Sequence, residues 1–163
     1  MAFDPAQMDV IDRRRVEAMI LGPMLREFQE EIGVEQTNRI ARAAITKLAR
    51  EQGAQFADGI GSSGLEDYAS NKDAWRRNGA LEFEIIESTP NRYSFDVTRC
   101  KYAEMYNELG FGDLGDIFSC TLDFEFCSGF NKEVKLVRPQ TIMQGASHCD
   151  FRYTLDEEVS TTE

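Results

Sequence analysis

Leu81-Glu82-Phe83-Glu84-Ile85-Ile86-Glu87-Ser88-Thr89-Pro90-Asn91-Arg92-Tyr93-Ser94-Phe95-Asp96-Val97 is the stretch on which the fold turns. Its apolar Leu81, Phe83 and Ile85 alternate with Glu82 and Glu84, the two-residue period of a strand with one buried face. Thr89-Pro90-Asn91-Arg92 then reverses the chain. Beyond it, Tyr93, Phe95 and Val97 alternate with Ser94, Asp96 and Thr98, which predicts the second strand of a hairpin.

Towards the N-terminus the period lengthens to that of helices. From Asp9 to Ile32, Val10, Val16, Met19, Ile20, Leu25 and Phe28 recur at helical spacing, with Gly22-Pro23 expected to kink or divide the run and Gly33 to stop it. A second helix is expected from Glu35 to Gln55, a loop from Gly59 to Gly64, and a short helix from Leu65 to Arg77 that ends at Asn78-Gly79. Towards the C-terminus, helices are expected over Lys101 to Leu109 and Leu114 to Cys127, then strands over Glu133 to Val137 and His148 to Thr154. This order lacks the regular βα alternation of a doubly wound sheet. It describes one α+β domain over residues 1–155, with N-terminal helices packed on a small, mostly antiparallel four-stranded sheet, and an acidic, frayed tail over 156–163.

The bulk numbers fit that reading. A chain of 163 residues with 42% hydrophobic and 29% charged positions suffices for one core. A net charge of −11 opposes nucleic acid and anionic membranes, and the one basic run, Arg13-Arg14-Arg15, reads as a solvated helix face. No apolar run reaches the roughly 20 residues of a membrane span. The opening Met1-Ala2-Phe3-Asp4-Pro5 has no signal-peptide pattern, so a cytoplasmic location and reduced thiols at Cys100, Cys120, Cys127 and Cys149 are expected. Three thiols with His148 could in principle ligate zinc, but they are scattered and form no C-x₂-C pair, so neither a metal nor another cofactor is expected.

Three groups of residues could carry chemistry. Cys100 and Glu104 stand at i and i+4, hence on one face if both are helical, and a helix N-terminus favours a thiolate at Cys100; the plainer reading is a small buried thiol under a cap. Cys120, Asp123 and Cys127 share a helical face with Phe124 beside them. A carboxylate set there would have its pKa raised towards that of a general base, unless the face is simply exposed. On the last strand Cys149, Phe151 and Tyr153 point one way, and His148, Asp150 and Arg152 the other. Arg138, shortly before it, could fork onto a carboxylate, as a ligand anchor or as a structural ion pair.

These blocks together resemble a known family. Cys100-Lys101-Tyr102-Ala103-Glu104-Met105-Tyr106-Asn107-Glu108-Leu109-Gly110, Cys120-x-x-Asp123-Phe124 with Gly129-Phe130-Asn131, Arg138-x-x-Thr141-Ile142-Met143-x-Gly145 and Cys149-Asp150-Phe151-Arg152 are similar to the signature of the L-2-amino-thiazoline-4-carboxylic acid hydrolases. Cys127 departs from the pattern, where a small or acidic residue is expected, and takes no role from it. The resemblance implies a hydrolase that opens a five-membered ring, and distant kinship with vinyl-reductase-type and TRAPP-type ligand-binding domains, which are small α+β modules and often dimers.

Under that resemblance the expected catalytic residues are Asp123, Cys149, Cys100, Cys120 and Glu104. Arg138, Thr141, Asp150, Phe124 and His148 are expected to bind substrate. The substrate would be a small cyclic isothiourea, amidine or lactam whose ring carbon is electrophilic. Asp123 would activate water, or a thiolate of Cys100, Cys120 or Cys149 would attack directly, with Arg138 on the substrate carboxylate. The alternative is a non-catalytic module that closes Phe124, Phe126, Phe130 and Phe151 around a small ligand. A third reading makes the N-terminal helix a dimerising element on an inert scaffold. The expected partners are a small molecule and a second copy of the chain.

Overall fold

The computed structural model describes residues 8–70 and 72–156. The N-terminal stretch read for a signal pattern, and the acidic tail beyond Asp156, lie outside the described residues. Two long helices, α1 (Val10–Ile32) and α2 (Val34–Ile60), precede the short α3 (Leu65–Ser70) and α4 (Lys72–Arg76). The hairpin β1 (Leu81–Thr89) and β2 (Arg92–Cys100) follows, then α5 (Lys101–Glu108), α6 (Thr121–Phe130), β3 (Val134–Val137) and β4 (Cys149–Leu155). The sheet is antiparallel throughout, in the order β1-β2-β4-β3.

Alternation along β2 and β4 sets the register. Tyr93, Phe95 and Val97 sit opposite Tyr153, Phe151 and Cys149, and all six are buried on one face of the sheet. The rings of Phe95 and Phe151 stack at 4.7 Å. A one-residue slip would turn this set to solvent, so burial pins the pairing. On the opposite face Arg152 pairs with Asp96 at 2.7 Å.

α6 lies across the buried face and is held against α2 by two glycines. A Cβ on Gly53 would come within 2.2 Å of the Phe126 carbonyl oxygen, and one on Gly129 within 2.1 Å of the Arg50 carbonyl oxygen. Only hydrogen fits at either position, and the resulting close crossing fixes where the side chains of α6 emerge.

Several boundaries differ from expectation. α1 continues through Gly22-Pro23 without division, and Phe111 packs onto Gly22. α2 runs on to Ile60. In place of one helix from Leu114, a 3₁₀ turn (Gly112–Leu114) and a turn of π-helix (Asp116–Cys120) lead into α6. The basic run is not a solvated face either. Arg14 is buried, ion-paired to Glu17 and stacked over Trp75 at 5.6 Å. Among the described residues no helix is long and apolar enough to cross a membrane.

Candidate functional site

A cavity of about 60 Å³ lies between the buried face of the sheet, the start of α5, the π-turn and α4. That is less than half of the roughly 150 Å³ that holds a benzene ring, so a ring-sized ligand would occupy the cavity's open side as well. Its walls are largely apolar: Phe83 from β1, Phe95 and Val97 from β2, Phe151 from β4 and Trp75 from α4. Into this lining project Cys100, Cys120, Asp123, Arg138, Cys149 and Lys72. Stretches separated by up to half the chain therefore converge on one space.

Asp123 is the centre of the polar group. One carboxylate oxygen accepts a hydrogen bond from Arg138 Nη1 at 2.6 Å, and the other lies 3.8 Å from Lys72 Nζ. Arg138 is almost wholly buried, with its second Nη donating to the Cys120 carbonyl at 3.0 Å and its guanidinium between the rings of Phe124 and Phe151 at 4.9 and 4.8 Å. Burial is the largest influence on the Arg138 pKa and lowers it, but the charge and hydrogen bond of Asp123 together with Cys120 and Tyr153 outweigh it, so the guanidinium stays charged. Its fork faces Asp123 and backbone rather than open space.

The three thiols at the cavity are held protonated. Burial pushes Cys100 up to about 11, outweighing the N–H groups of Ala103 and Tyr102 at the start of α5. The helix terminus expected to favour a thiolate there is thus overridden by desolvation. Burial also raises Cys120, against the pull of Arg138, and Cys149, whose sulfur accepts the Ile142 N–H at 3.2 Å.

The remaining expected residues are placed elsewhere. Cys100 closes β2 in extended conformation, so Glu104 does not share its face; Glu104 instead pairs with Arg99 at 2.8 Å on the outside of α5. Cys127 lies in the core beneath α6 and donates to the Val134 carbonyl at 3.5 Å. It follows Asp123 by one turn of α6 but does not line the cavity. His148 and Asp150 are on the outer side of β4, where His148 meets Gln140 and Ser147, and Asp150 accepts the Gln140 N–H at 3.2 Å. Thr141 caps the 3₁₀ turn Ile142–Gln144, which brings Met143 to the cavity wall. Of the four phenylalanines expected to line a pocket, Phe151 does so. Phe124 covers Arg138 from outside, and Phe126 and Phe130 pack with Phe56.

Lys72, Trp75 and Ser119 were not singled out from sequence. Lys72 and Trp75 stand three apart on α4 and so share a face, but nothing local marks that face as buried. Ser119 bonds Tyr106 at 2.8 Å within the π-turn. Among the described residues, no three His, Cys, Asp or Glu side chains converge on a point that could hold a metal ion.

A helix-covered antiparallel sheet with a small, partly open cavity is an α+β arrangement, and solved structures share the fold. The trafficking protein particle complex subunit 3 from Naegleria fowleri, covalently bound to palmitic acid, aligns with a TM-score of 0.52 and 13% identity over 89% of this chain and 96% of that one. The phenol-responsive sensory domain of the transcription activator PoxR, with phenol, aligns with a TM-score of 0.52 and 11% identity over 83% of this chain and 72% of that one. At such identities the likeness is one of fold. The L-2-amino-thiazoline-4-carboxylic acid hydrolase family matches residues 13–153, and the chain belongs to that family. None of the curated proteins matches it in sequence.

Proposed function

We propose that this protein is a cytoplasmic hydrolase that opens a small cyclic isothiourea or amidine resembling 2-amino-thiazoline-4-carboxylate. The observation that carries the reading is Asp123, an acid clamped between Arg138 and Lys72 on the wall of a small, partly open cavity with apolar faces. Water attacks the ring carbon between sulfur and nitrogen, and Asp123 takes its proton. The C–S bond then breaks, the remaining hydroxyl proton passes to the former ring nitrogen as the carbon becomes a urea carbonyl, and the sulfur leaves with the proton that Asp123 returns. Attack by Cys149, Cys100 or Cys120 is the less favoured route, because each would first have to give up a proton that burial holds in place. Arg138 acts as a positioning residue for Asp123, and Thr141 for the turn that carries Met143. Phe124 and Asp150 support these elements from outside the cavity, and Glu104 and His148 take no part.

Protonated thiols and apolar walls favour a second reading, in which the same cavity binds a small ligand without turnover. The two solved relatives in fold hold palmitate and phenol. The two readings separate on free-thiol release from 2-amino-thiazoline-4-carboxylate. Steady release by purified protein is the expected result. No release, together with a raised Tm in the presence of the compound, would transfer the site to the binding reading.

We also read the chain as a homodimer. Val16, Ile20, Met24 and Phe28 recur on exposed faces of α1, beside an apolar groove of about 320 Å³ between α1 and α2 that is lined by Leu21, Ile32 and Ile40. Contiguous exposed apolar surface of this extent marks an interaction site.

A further inference from the structure

The charges in the cavity do not balance. Lys72 and Arg138 are cations and, among the described residues, Asp123 is the one carboxylate on the cavity wall, while burial holds the three thiols there neutral. Asp123 is matched tightly to Arg138 at 2.6 Å, so its charge is largely committed. Lys72 is left with long contacts: Asp123 at 3.8 Å and the Tyr68 hydroxyl at 3.5 Å. Among the described residues, the rings of Tyr68, Tyr153 and Phe151 surround the ammonium, with centroids at 5.0, 5.4 and 6.0 Å, and the Cys127 thiol and Arg138 are also near.

The Lys72 side chain is 9% exposed, so solvent does little to stabilise its charge. An ammonium removed from water without a close counter-ion is costly, and a chain selected for stability alone would place methionine or leucine there. Lysine also lacks the planar fork of arginine; it offers a point charge that accepts an anion from many directions. Its position at the start of α4 puts that charge on the cavity wall beside Trp75, within reach of any group that touches Asp123.

We infer that Lys72 is the anchor for the carboxylate of the ligand. The inference rests on the ring-opening reading for the ligand itself, and on the burial and unmatched charge of Lys72 for the place of its carboxylate. A neutral ring with one carboxylate brings the cavity to zero net charge. With its carboxylate at Lys72, the ring carbon lies towards Asp123, and the apolar walls cover the ring faces. Arg138, whose fork is occupied by Asp123 and the Cys120 carbonyl, is left as the residue that orients the acid.

The test separates binding from turnover by using probes that cannot be hydrolysed. Thiophene-2-carboxylate and thiophene-2-carboxamide are titrated calorimetrically into wild type, Lys72→Met and Lys72→Gln, with near-ultraviolet circular dichroism confirming the fold of each variant. The acid is expected to bind wild type and to lose at least tenfold in affinity in both variants, while the amide binds all three alike. Equal binding of the acid to wild type and the variants, or no binding of the acid to wild type, overturns the assignment of Lys72. Thiol release from 2-amino-thiazoline-4-carboxylate is followed in parallel, and the loss in Lys72→Gln is expected in KM rather than kcat. Turnover that persists with an unchanged KM sinks the anchor and spares the hydrolase; acid-selective binding without any turnover does the reverse.

Discussion

The cavity beneath the sheet and the outer face of α1 and α2 invert the usual distribution of residues. In the cavity an aspartate, an arginine and a lysine are withdrawn from water. On α1, Ile20 is 61% exposed and Phe28 49%. Both arrangements cost stability in an isolated chain, since buried charge loses hydration and exposed apolar surface gains nothing from folding. Departures from local consistency concentrate where a protein is kept for something besides folding. The two regions differ in what would relieve the cost. A compact anion satisfies the first, and a second apolar surface the second.

The largest effect should come from the helical face. Ile20→Glu combined with Phe28→Glu sets charge on the exposed stripe without touching the cavity, and should convert a dimer wholly to monomer in sedimentation equilibrium. Wild type that already sediments as a monomer removes the dimer. A smaller effect is expected from Lys72→Met in unliganded protein, a gain of about 1 kcal/mol at neutral pH, as a buried charge gives way to an apolar chain of similar length. Burial lowers the Lys72 pKa in the folded state, so over the interval up to the ordinary lysine value the unfolded chain binds more protons. Wild-type stability attributable to Lys72 should therefore rise with pH across that interval, and the advantage of Lys72→Met should shrink. Cys127, pushed up to about 12 by burial, and the raised phenols of Tyr68 and Tyr153 also face Lys72, but they are common to both proteins and cancel in the difference. A gap that is constant with pH would mean that Lys72 holds its proton equally in the folded and unfolded chains and that burial does not lower its pKa. The smallest effect belongs to Glu104→Gln. Its pair with Arg99 is solvent-exposed, and neither Tm nor thiol release should change measurably.

How far the sequence was legible follows the same division. The sheet was readable because one face of β2 is buried, which forces the alternation of Tyr93, Phe95 and Val97 and, by pairing, that of Cys149, Phe151 and Tyr153. The inward and outward sets on β4 followed from strand period alone. Errors arose where helical spacing was applied to backbone that is not α-helical. Cys100 is extended, so the i, i+4 spacing to Glu104 starts from a residue outside the helix, and the helix expected from Leu114 opens instead with a 3₁₀ turn and a π-turn. Such a turn has no composition of its own. Arg14 and Lys72 were missed for another reason. A basic residue in a polar helix is buried by what packs over it, here Trp75 in one case and α6 with the sheet in the other, and those neighbours lie far along the chain.

The central claim is that Asp123 does chemistry in the cavity and does not merely neutralise Arg138. It is tested by the rate of free-thiol release from 2-amino-thiazoline-4-carboxylate by wild type and by Asp123→Asn. The substitution leaves two buried cations without their carboxylate and should cost about 3 kcal/mol of stability, so rates are compared at a temperature where both proteins are folded. The account predicts a fall in kcat of about a hundredfold or more. Equal kcat in folded wild type and Asp123→Asn would contradict it.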